Sequence, residues 1–555
     1  MQQIQTVVYR EAVVAAPCKE ACPAGIDIPR HIRLIAEGRL DEALTVMREK
    51  VPFPGVLGRV CSSPCQAKCR LGEVDEPMMI RAFHRFVADR DTGAWRQALK
   101  KGKPKGKRVA IIGSGPAGLT AAYYLARLGH AVTVFEALPE PGGMMRAYIP
   151  EYRLPREVLN PEIEVIKGVG VEIKTDTRIE SVDALLKQGY DAVLVAVGAH
   201  QPMKMGVDGE EGPGVIESLP LLGRLNEGQE VSLGDRVAVV GGGNSVIDAA
   251  RVARRLGAKE VNVIYRRTRA EMPAIPAEIA EALKEGVKIE FLATPTKITR
   301  ENRSIKVECI RVRLGEPDES GRPRPEPIAG SEFSMHFDTV VSAIGQRPEV
   351  PPQLGLAVAE NGTVKVDPDT LATSKAGVFA AGDATSGPAT VIEAIATGRR
   401  AAMAIDKYLG GSGVIDETLA PPEEEVTPVL TLVPNVERAM MPTLPIDERL
   451  AGFAEVELGL SEEQAVQEAK LCFRCDLPII VDMTKCNGCM TCAMRCCLRL
   501  DKFFDPLKAR IKIQKVGKPE TDYTVIFTDE CDDCGICVRY CPYWALTRGK
   551  IKATA

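Results

Sequence analysis

The sequence predicts an α/β chain, with two parallel-sheet nucleotide folds held between two cysteine-rich modules. Three observations predict it. An apolar run, Val109 to Ile112, enters Gly113-Ser114-Gly115-Pro116-Ala117-Gly118 and then a helical segment. A second run, Val237 to Val240, enters Gly241-Gly242-Gly243-Asn244-Ser245 and another helical segment. Of seventeen cysteines, all but Cys309 lie in two groups, toward the two ends of the chain.

The first turn has the glycine spacing of a dinucleotide site. Gly113 permits the tight turn, Gly115 lets backbone approach a pyrophosphate, and Gly118 lets helix pack on strand. Pro116 and Ala117 open the helix, whose free N–H groups face the phosphates. The next strand, Ala131 to Phe135, ends in Glu136, placed to meet a ribose hydroxyl. The second turn has Val246 at the third glycine position, so its helix is expected to pack differently. Its following strand, Val261 to Tyr265, ends in Arg266-Arg267 instead of an acid. Two guanidiniums fork a 2′-phosphate, which favours NADPH over NADH, with NADH the alternative. Further along, Gly377 to Asp383 reads as a strand entering an acidic turn, where Asp383 meets a ribityl or pyrophosphate group, and a helix follows from Thr390.

Length and composition bound the rest. At 555 residues, about three or four domains are expected. The chain is 45% hydrophobic and 26% charged, and a net charge of −4 gives no basic excess for nucleic acid. No apolar run reaches about 18 residues, and Met1 to Arg10 lacks a signal-peptide core, so a cytoplasmic protein without a membrane span is expected.

Clustered cysteines in a reducing compartment read as metal ligands, not disulfides. Cys18-x3-Cys22 and Cys61-x3-Cys65-x3-Cys69 flank helical runs over Ile28 to Lys50 and Met78 to Asp89. Five cysteines cannot close two four-ligand clusters. Lys100 to Lys107 reads as a solvated hinge, and Pro/Glu-rich 421–428 as a linker before a helix, Ser461 to Lys470. That helix delivers Cys472-x2-Cys475. Two runs of the form CxxCxxCxxxC follow, in the two-cluster ferredoxin pattern where each fourth cysteine serves the other cluster. Cys486, Cys489, Cys492 and Cys541 then hold one [4Fe–4S] cluster, and Cys496, Cys531, Cys534 and Cys537 the other. Zinc sites rarely use this spacing twice. Cys497 reads as a non-ligand, and Cys309 has no assigned role.

On these motifs the chain resembles the small subunit of NADPH-dependent glutamate synthase and its relatives, among them the electron-input half of dihydropyrimidine dehydrogenase. The shared stretches are Cys18-x3-Cys22-Pro23, GSGPAGL, PGG at 141–143, YRLP at 152–155, GGGN, YRR, AIGQRP and AAGDA, and the resemblance covers about residues 15–475. It implies a helical domain, 1–100, with two [4Fe–4S] clusters. It implies a glutathione/thioredoxin reductase-like pair of Rossmann-type domains, with 108–203 and 331–410 binding FAD and 204–330 binding NADPH. A linker and helix, 411–470, would lead to a ferredoxin-like domain, 471–555. Gly143, Arg153, Gly198, Gly382, Asp383, Thr390 and Val391 would join the FAD site. Gly241, Gly243, Asn244, Ser245, Arg266, Arg267 and Gly345 would form the NADPH site.

The chain departs from that family in one way. An EAxRCLxC stretch usually precedes the first cysteines; here its counterpart is Glu468-Ala469-Lys470-Leu471-Cys472-Phe473-Arg474-Cys475. By the resemblance, Cys18, Cys69, Cys472 and Cys475 hold one cluster, and Cys22, Cys61, Cys65 and His84 the other, His84 standing where the family has Glu or Gln. The C-terminal segment must then fold back onto the N-terminal one. Sixteen ligands serve four clusters.

The function implied is an NAD(P)H-dependent iron–sulfur flavoprotein that carries electrons to a ferredoxin or a catalytic subunit, as a homodimer or hetero-oligomer. No general acid or base is assigned, because hydride transfer to a flavin needs orientation alone. A stand-alone reductase and a non-catalytic scaffold are the competing readings. Against the first, residues 108–410 offer no redox dithiol; against the second, the nucleotide glycines are intact.

Overall fold

In the computed structural model of the chain, the described residues are 7–9, 15–301, 304–318, 321–415, 418–421, 437–516 and 523–549. Most of Met1 to Arg10 and nearly all of the expected 421–428 linker lie outside them. The chain divides into two units.

One unit comprises Lys100–Ile415 and Thr443–Leu458. Its first parallel sheet has the order Val378–Ala380, Ala192–Val195, Arg108–Ile112, Ala131–Phe135, Val171–Lys174. The central strand is buried from Val109 to Ile112, which explains an apolar run without alternation. Pairing of Ile112 with both Phe135 and Val195 brings three carboxyl ends to one edge, beside the glycine turn. The helix Pro116–Arg127 packs on this sheet, and Val391–Tyr408 packs on that helix.

The second parallel sheet has the order Lys288–Phe291, Glu260–Tyr265, Arg236–Val240, Thr339–Ser342, Val215–Glu217. This corrects one boundary. The resemblance returns residues 331–410 to the first nucleotide fold, yet Thr339–Ser342 pairs in parallel with Arg236–Val240 and Val215–Glu217. The return comes at Gln346–Arg347, which pairs antiparallel with Gln201–Pro202. Those two short strands form the crossing between the folds. An antiparallel sheet of Ala293–Glu301, Ser304–Pro317 and Pro323–Phe337 has no counterpart in the sequence reading, and Cys309 is a buried apolar residue within it.

Lys100 to Lys107 is solvated, as expected, but it is anchored. The Gly102 N–H donates to Arg127 O at 2.6 Å, and that of Lys105 to Gly129 O at 3.0 Å. The Lys105 ammonium pairs with Asp406, a fully buried carboxylate that also meets His130 at 2.7 Å. A buried carboxylate needs such partners, and this one recruits the basic segment.

The other unit comprises Met1–Leu99, Asp416–Pro442 and Gly459–Ala555. The two cysteine modules, expected as separate domains, therefore form one body. The expected 411–470 linker is divided between the two units. Short helices, among them Ile28–Ala36, Leu40–Arg48, Pro54–Val60 and Ile80–Ala88, frame the N-terminal thiols, with Cys18 on Pro17–Glu20 and Cys65 on Pro64–Ala67. Strand Val7–Tyr9 pairs with Ile479–Val481, which pairs with Leu546–Arg548, all antiparallel. Helix Glu462–Ala469 starts at a capping box of Ser461 and Gln464. Its buried Glu468 pairs with Arg438 at 2.6 Å, and Arg438 also donates to Pro77 O at 2.9 Å. That clamp draws the Cys472 segment toward the helix Ile80–Ala88. No described helix is long and apolar enough to cross a membrane.

Candidate functional site

The first glycine turn is built for close approach. Gly113 has φ +102°, and a Cβ there would collide with Ala196 O. A Cβ on Gly118 would collide with Gly113 O, so helix and strand could not meet. Gly115, the N-cap of Pro116–Arg127, faces open space, with no atom within 4 Å of a Cβ. Three glycines thus have three different reasons, and only the middle one leaves room for a ligand. Gly143 closes over this turn: its φ is +52° and a Cβ would lie 2.7 Å from Gly115 Cα. Gly142 N–H donates to Ser114 Oγ at 3.1 Å.

Glu136 is buried beside the same turn. It accepts from Ser114 N and Leu138 N, both at 2.9 Å. Ser114 Oγ also donates to the oxygen that Ser114 N meets, so these bonds fix the turn and leave a lone pair on Oε1, the oxygen facing Leu138 N, for a hydroxyl. Gly382 fits against Ala117, and its N–H donates to Thr397 Oγ1 at 3.1 Å. Burial, with Glu393 adding to it, pushes Asp383 up to about 6 against the Ala389 N–H. Thr390 caps the helix Val391–Tyr408 through a box with Glu393, which leaves Val391 at a helix N-terminus. Gly198, at φ +73°, lies beside His200, whose pKa is lowered by burial.

Arg153 is not at this turn. Its Nη1 donates to both oxygens of Asp248 at 2.8 Å, and Asp248 lies on the second nucleotide helix, Asn244–Arg255. Arg251 pairs with Glu278 and Glu285, Arg255 pairs with Glu285, and both guanidiniums stack on Tyr152, at 4.6 and 4.1 Å. YRLP is therefore a bracket on the second fold. A buried carboxylate on that helix takes the guanidinium before a cofactor can. The signal was available as Asp248, Arg251 and Arg255, spaced along one helical face.

The second turn follows the first. A Cβ on Gly241 would collide with Ala343 O and lie 2.8 Å from Val246 Cγ2, so Val246 fills the gap that a third glycine leaves in the first turn. Gly242 lies against the Tyr265 ring, and Gly243, the N-cap, faces open space. Asn244 Oδ1 accepts from Ile275 N at 3.0 Å, which positions the loop after Met272-Pro273-Ala274. Ser245 lies in the first helical turn, and Gly345, at φ +133°, approaches Met203. The arginine pair divides. Arg266 is exposed, while Arg267 is buried and donates to Asp318 Oδ2 and Pro323 O, both at 2.7 Å. Arg267 holds the antiparallel hairpin, and Arg266 alone is open to a phosphate.

In the other unit the thiols gather in sets. Cys18, Cys69, Cys472 and Cys475 line one cavity with Pro29, Ile32 and Phe473. Cys486, Cys489, Cys492 and Cys541 line a second, and Cys496, Cys531, Cys534 and Cys537 a third. Among the described residues no three Cys, His, Asp or Glu side chains close on a point fit for one metal ion. Burial pushes Cys472 up to about 12, and Cys18 further, with Cys472, Cys475 and Cys69 adding to it. Cys497 is buried and donates to Met494 O at 3.2 Å, apart from any set.

Burial raises Cys61 to about 11 and Cys65 as well, Cys22 adding to the rise at both and Cys61 to that at Cys65. His84 lies on Ile80–Ala88, which packs so tightly on Pro54–Val60 that a Cβ on Gly58 would collide with Arg85 backbone. Pro54–Val60 ends at Cys61. His84 is buried, and both ring nitrogens lack a hydrogen-bond partner among the described residues. A buried imidazole with two unpartnered nitrogens is costly, and a ligand role would relieve it.

A family model described as pyridine nucleotide-disulphide oxidoreductase matches residues 107–398. One described as dihydropyrimidine dehydrogenase domain II, 4Fe-4S cluster, matches residues 12–94. The NADP(+)-dependent formate dehydrogenase subunit beta of Moorella thermoacetica is 46% identical over 504 residues, 83% of this chain and 71% of that protein. The NADPH-Fe(3+) oxidoreductase subunit beta of Geobacter sulfurreducens is 42% identical over 508 residues, 83% of this chain and 75% of that protein. The glutamate synthase [NADPH] small chain of Escherichia coli is 35% identical over 423 residues, 71% of this chain and 88% of that protein.

Proposed function

Because the chain belongs to the pyridine nucleotide-disulphide oxidoreductase family, we propose that it is the NADPH-dependent, iron–sulfur flavoprotein electron-transfer subunit of a larger redox enzyme. FAD occupies the first glycine turn, NADPH the second, and four [4Fe–4S] clusters the four thiol sets. The residues fit these groups. Gly115 and Gly243 leave backbone-level room at two helix N-termini, and twelve thiols line three cavities.

A flavin exchanges hydride with a nicotinamide and single electrons with a cluster, which is the reason to combine the three. The chain's own residues bind and orient. Pro116–Arg127 and Asn244–Arg255 aim N–H groups at the two pyrophosphates. Glu136 takes a ribose hydroxyl, and Arg266 takes the 2′-phosphate. The Arg153–Asp248 pair holds YRLP to the second nucleotide helix. Fifteen cysteines and His84 supply sixteen ligands. No side chain is required to move a proton.

The observation that carries this reading is the convergence of Cys18 and Cys69 with Cys472 and Cys475 on one cavity. The partner is a catalytic oxidoreductase subunit, by likeness to beta subunits of formate dehydrogenase and of an Fe(3+) oxidoreductase. The thiol content suits a reducing, cytoplasmic compartment.

Anaerobically purified chain is expected to carry one FAD and about sixteen iron atoms, and NADPH is expected to bleach the flavin band and reduce a viologen. Cys472→Ser should remove one cluster's electron paramagnetic resonance (EPR) signal while leaving the ferredoxin pair. Full iron content and unchanged EPR in that variant would sink the reading.

A further inference from the structure

Arg548 ends the last described strand and its side chain is wholly buried. Its guanidinium lies between two thiol loops. Nη1 donates to Leu477 O, two residues beyond Cys475, and meets Asp533 Oδ2 at 3.3 Å. Nη2 donates to Asp533 O, beside Cys534. Gly535, at φ +80°, makes the space: a Cβ there would lie 2.8 Å from Nη2 and 2.9 Å from Nε. Nε has no hydrogen-bond partner among the described residues. The side chain therefore presents a fixed positive charge and a spare N–H inside a thiol-rich core.

The charge stands against both sets: its acceptor Leu477 O lies two residues from Cys475, and its acceptor Asp533 O immediately precedes Cys534. Cys475 belongs to the set closed with Cys18, and Cys534 to the set closed with Cys496. An arginine stays charged at any working pH, and its effect in a buried region is weakly screened.

We propose that Arg548 is a positioning residue shared by two cluster sites, the Cys18/Cys69/Cys472/Cys475 set and the Cys496/Cys531/Cys534/Cys537 set, holding their loops together and raising both reduction potentials with one charge. The proposal rests on reading these thiols as cluster ligands. Each cluster becomes more negative on reduction, so a neighbouring cation favours the reduced form, and hydrogen bonds to cluster sulfur act in the same direction. Asp533 tempers the charge from the second loop. A shared cation keeps the two potentials in step when the local dielectric changes, which suits adjacent stations of one electron route.

The test is an EPR-monitored redox titration of the anaerobic full-length chain. Two of the four midpoint potentials should fall in Arg548→Gln and hold near the native values in Arg548→Lys. Clusters are assigned with Cys472→Ser and Cys531→Ser backgrounds. Four unchanged potentials in a fully iron-loaded Arg548→Gln would overturn the proposal, as would an equal fall in Arg548→Lys. Should the glutamine variant not load iron, Asp533→Asn keeps the arginine and its packing. Both potentials should then rise. A rise confined to the Cys531 cluster, or no rise, would overturn the sharing. Iron content and native EPR report separately on whether the clusters exist.

Discussion

The imidazoles of His31 and His84 meet edge to face, 5.2 Å between centroids and 65° between planes, in the interior of the N-terminal helices. His31 Nδ1 contacts Ala43 O at 2.9 Å, a bond only a protonated Nδ1 can make, so His31 Nε2 is left as an acceptor. Burial, with His31 adding to it, holds His84 well below the usual histidine range, which keeps it neutral and fit to bind iron. His84→Ala should lose one cluster and about a quarter of the iron. His84→Cys should restore the iron and lower that cluster's potential, since a thiolate adds negative charge where imidazole adds none. Iron analysis and EPR-monitored titration read both. Full iron in His84→Ala would remove the histidine from the ligand set.

Gly115 and Gly118 separate ligand room from fold. Gly115→Ala places a methyl in open space at φ −70°, so the apo protein should keep its melting temperature. FAD affinity should fall by about tenfold or more, equivalent to about 1.4 kcal/mol. Gly118→Ala meets Gly113 O and should lower the melting temperature without any cofactor. Calorimetry of the apo forms and flavin titration distinguish the two. Equal flavin affinity in Gly115→Ala and the native chain would place the pyrophosphate elsewhere.

Arg266 and Arg267 should part company in steady-state kinetics. Arg266→Ala removes an exposed guanidinium, and a charged hydrogen bond is worth about 1.5–3 kcal/mol. The KM for NADPH should rise by about tenfold or more while that for NADH stays level. Arg267→Ala should spare this preference and destabilise the hairpin that Asp318 and Pro323 anchor. A loss of NADPH preference only in Arg267→Ala would reverse the assignment.

Much of this is legible because glycine turns and cysteine spacing are local signals. Gly113, Gly115 and Gly118 state their roles within six residues, and the doubled CxxCxxCxxxC runs pair as their spacing requires. The convergence of Cys18 with Cys472 needs the resemblance, since no local rule joins positions so far apart. The misplacements have a common origin. The resemblance puts Arg153 and the strand end puts Arg267 at cofactors, yet each is captured by a carboxylate, Asp248 or Asp318, that is distant in sequence. Thr339–Ser342 reads into the wrong sheet because a buried parallel strand is apolar throughout and carries no mark of its neighbours. Arg548 gives no sequence signal, because a lone arginine near a terminus reads as solvated.

Asp383 predicts a pH dependence for the apo protein. Burial raises its pKa from the ordinary aspartate value, 3.8, to about 6. Between those values the folded state binds more proton than the unfolded state. Stability contributed by this group is therefore full below about pH 4 and falls as pH rises toward 6. A rise of that size corresponds to at most about 3 kcal/mol, less what residual solvent access removes. Asp383→Asn should flatten this part of the profile, since the amide keeps the shape and does not ionise. Melting temperatures of apo native and variant chains across about pH 4–7 measure it. The same slope in both would show that another group titrates there. FAD should flatten the native slope as well: a flavin whose hydroxyls bond to the carboxylate favours the ionised form, so the bound protein should lose less stability over the same pH range.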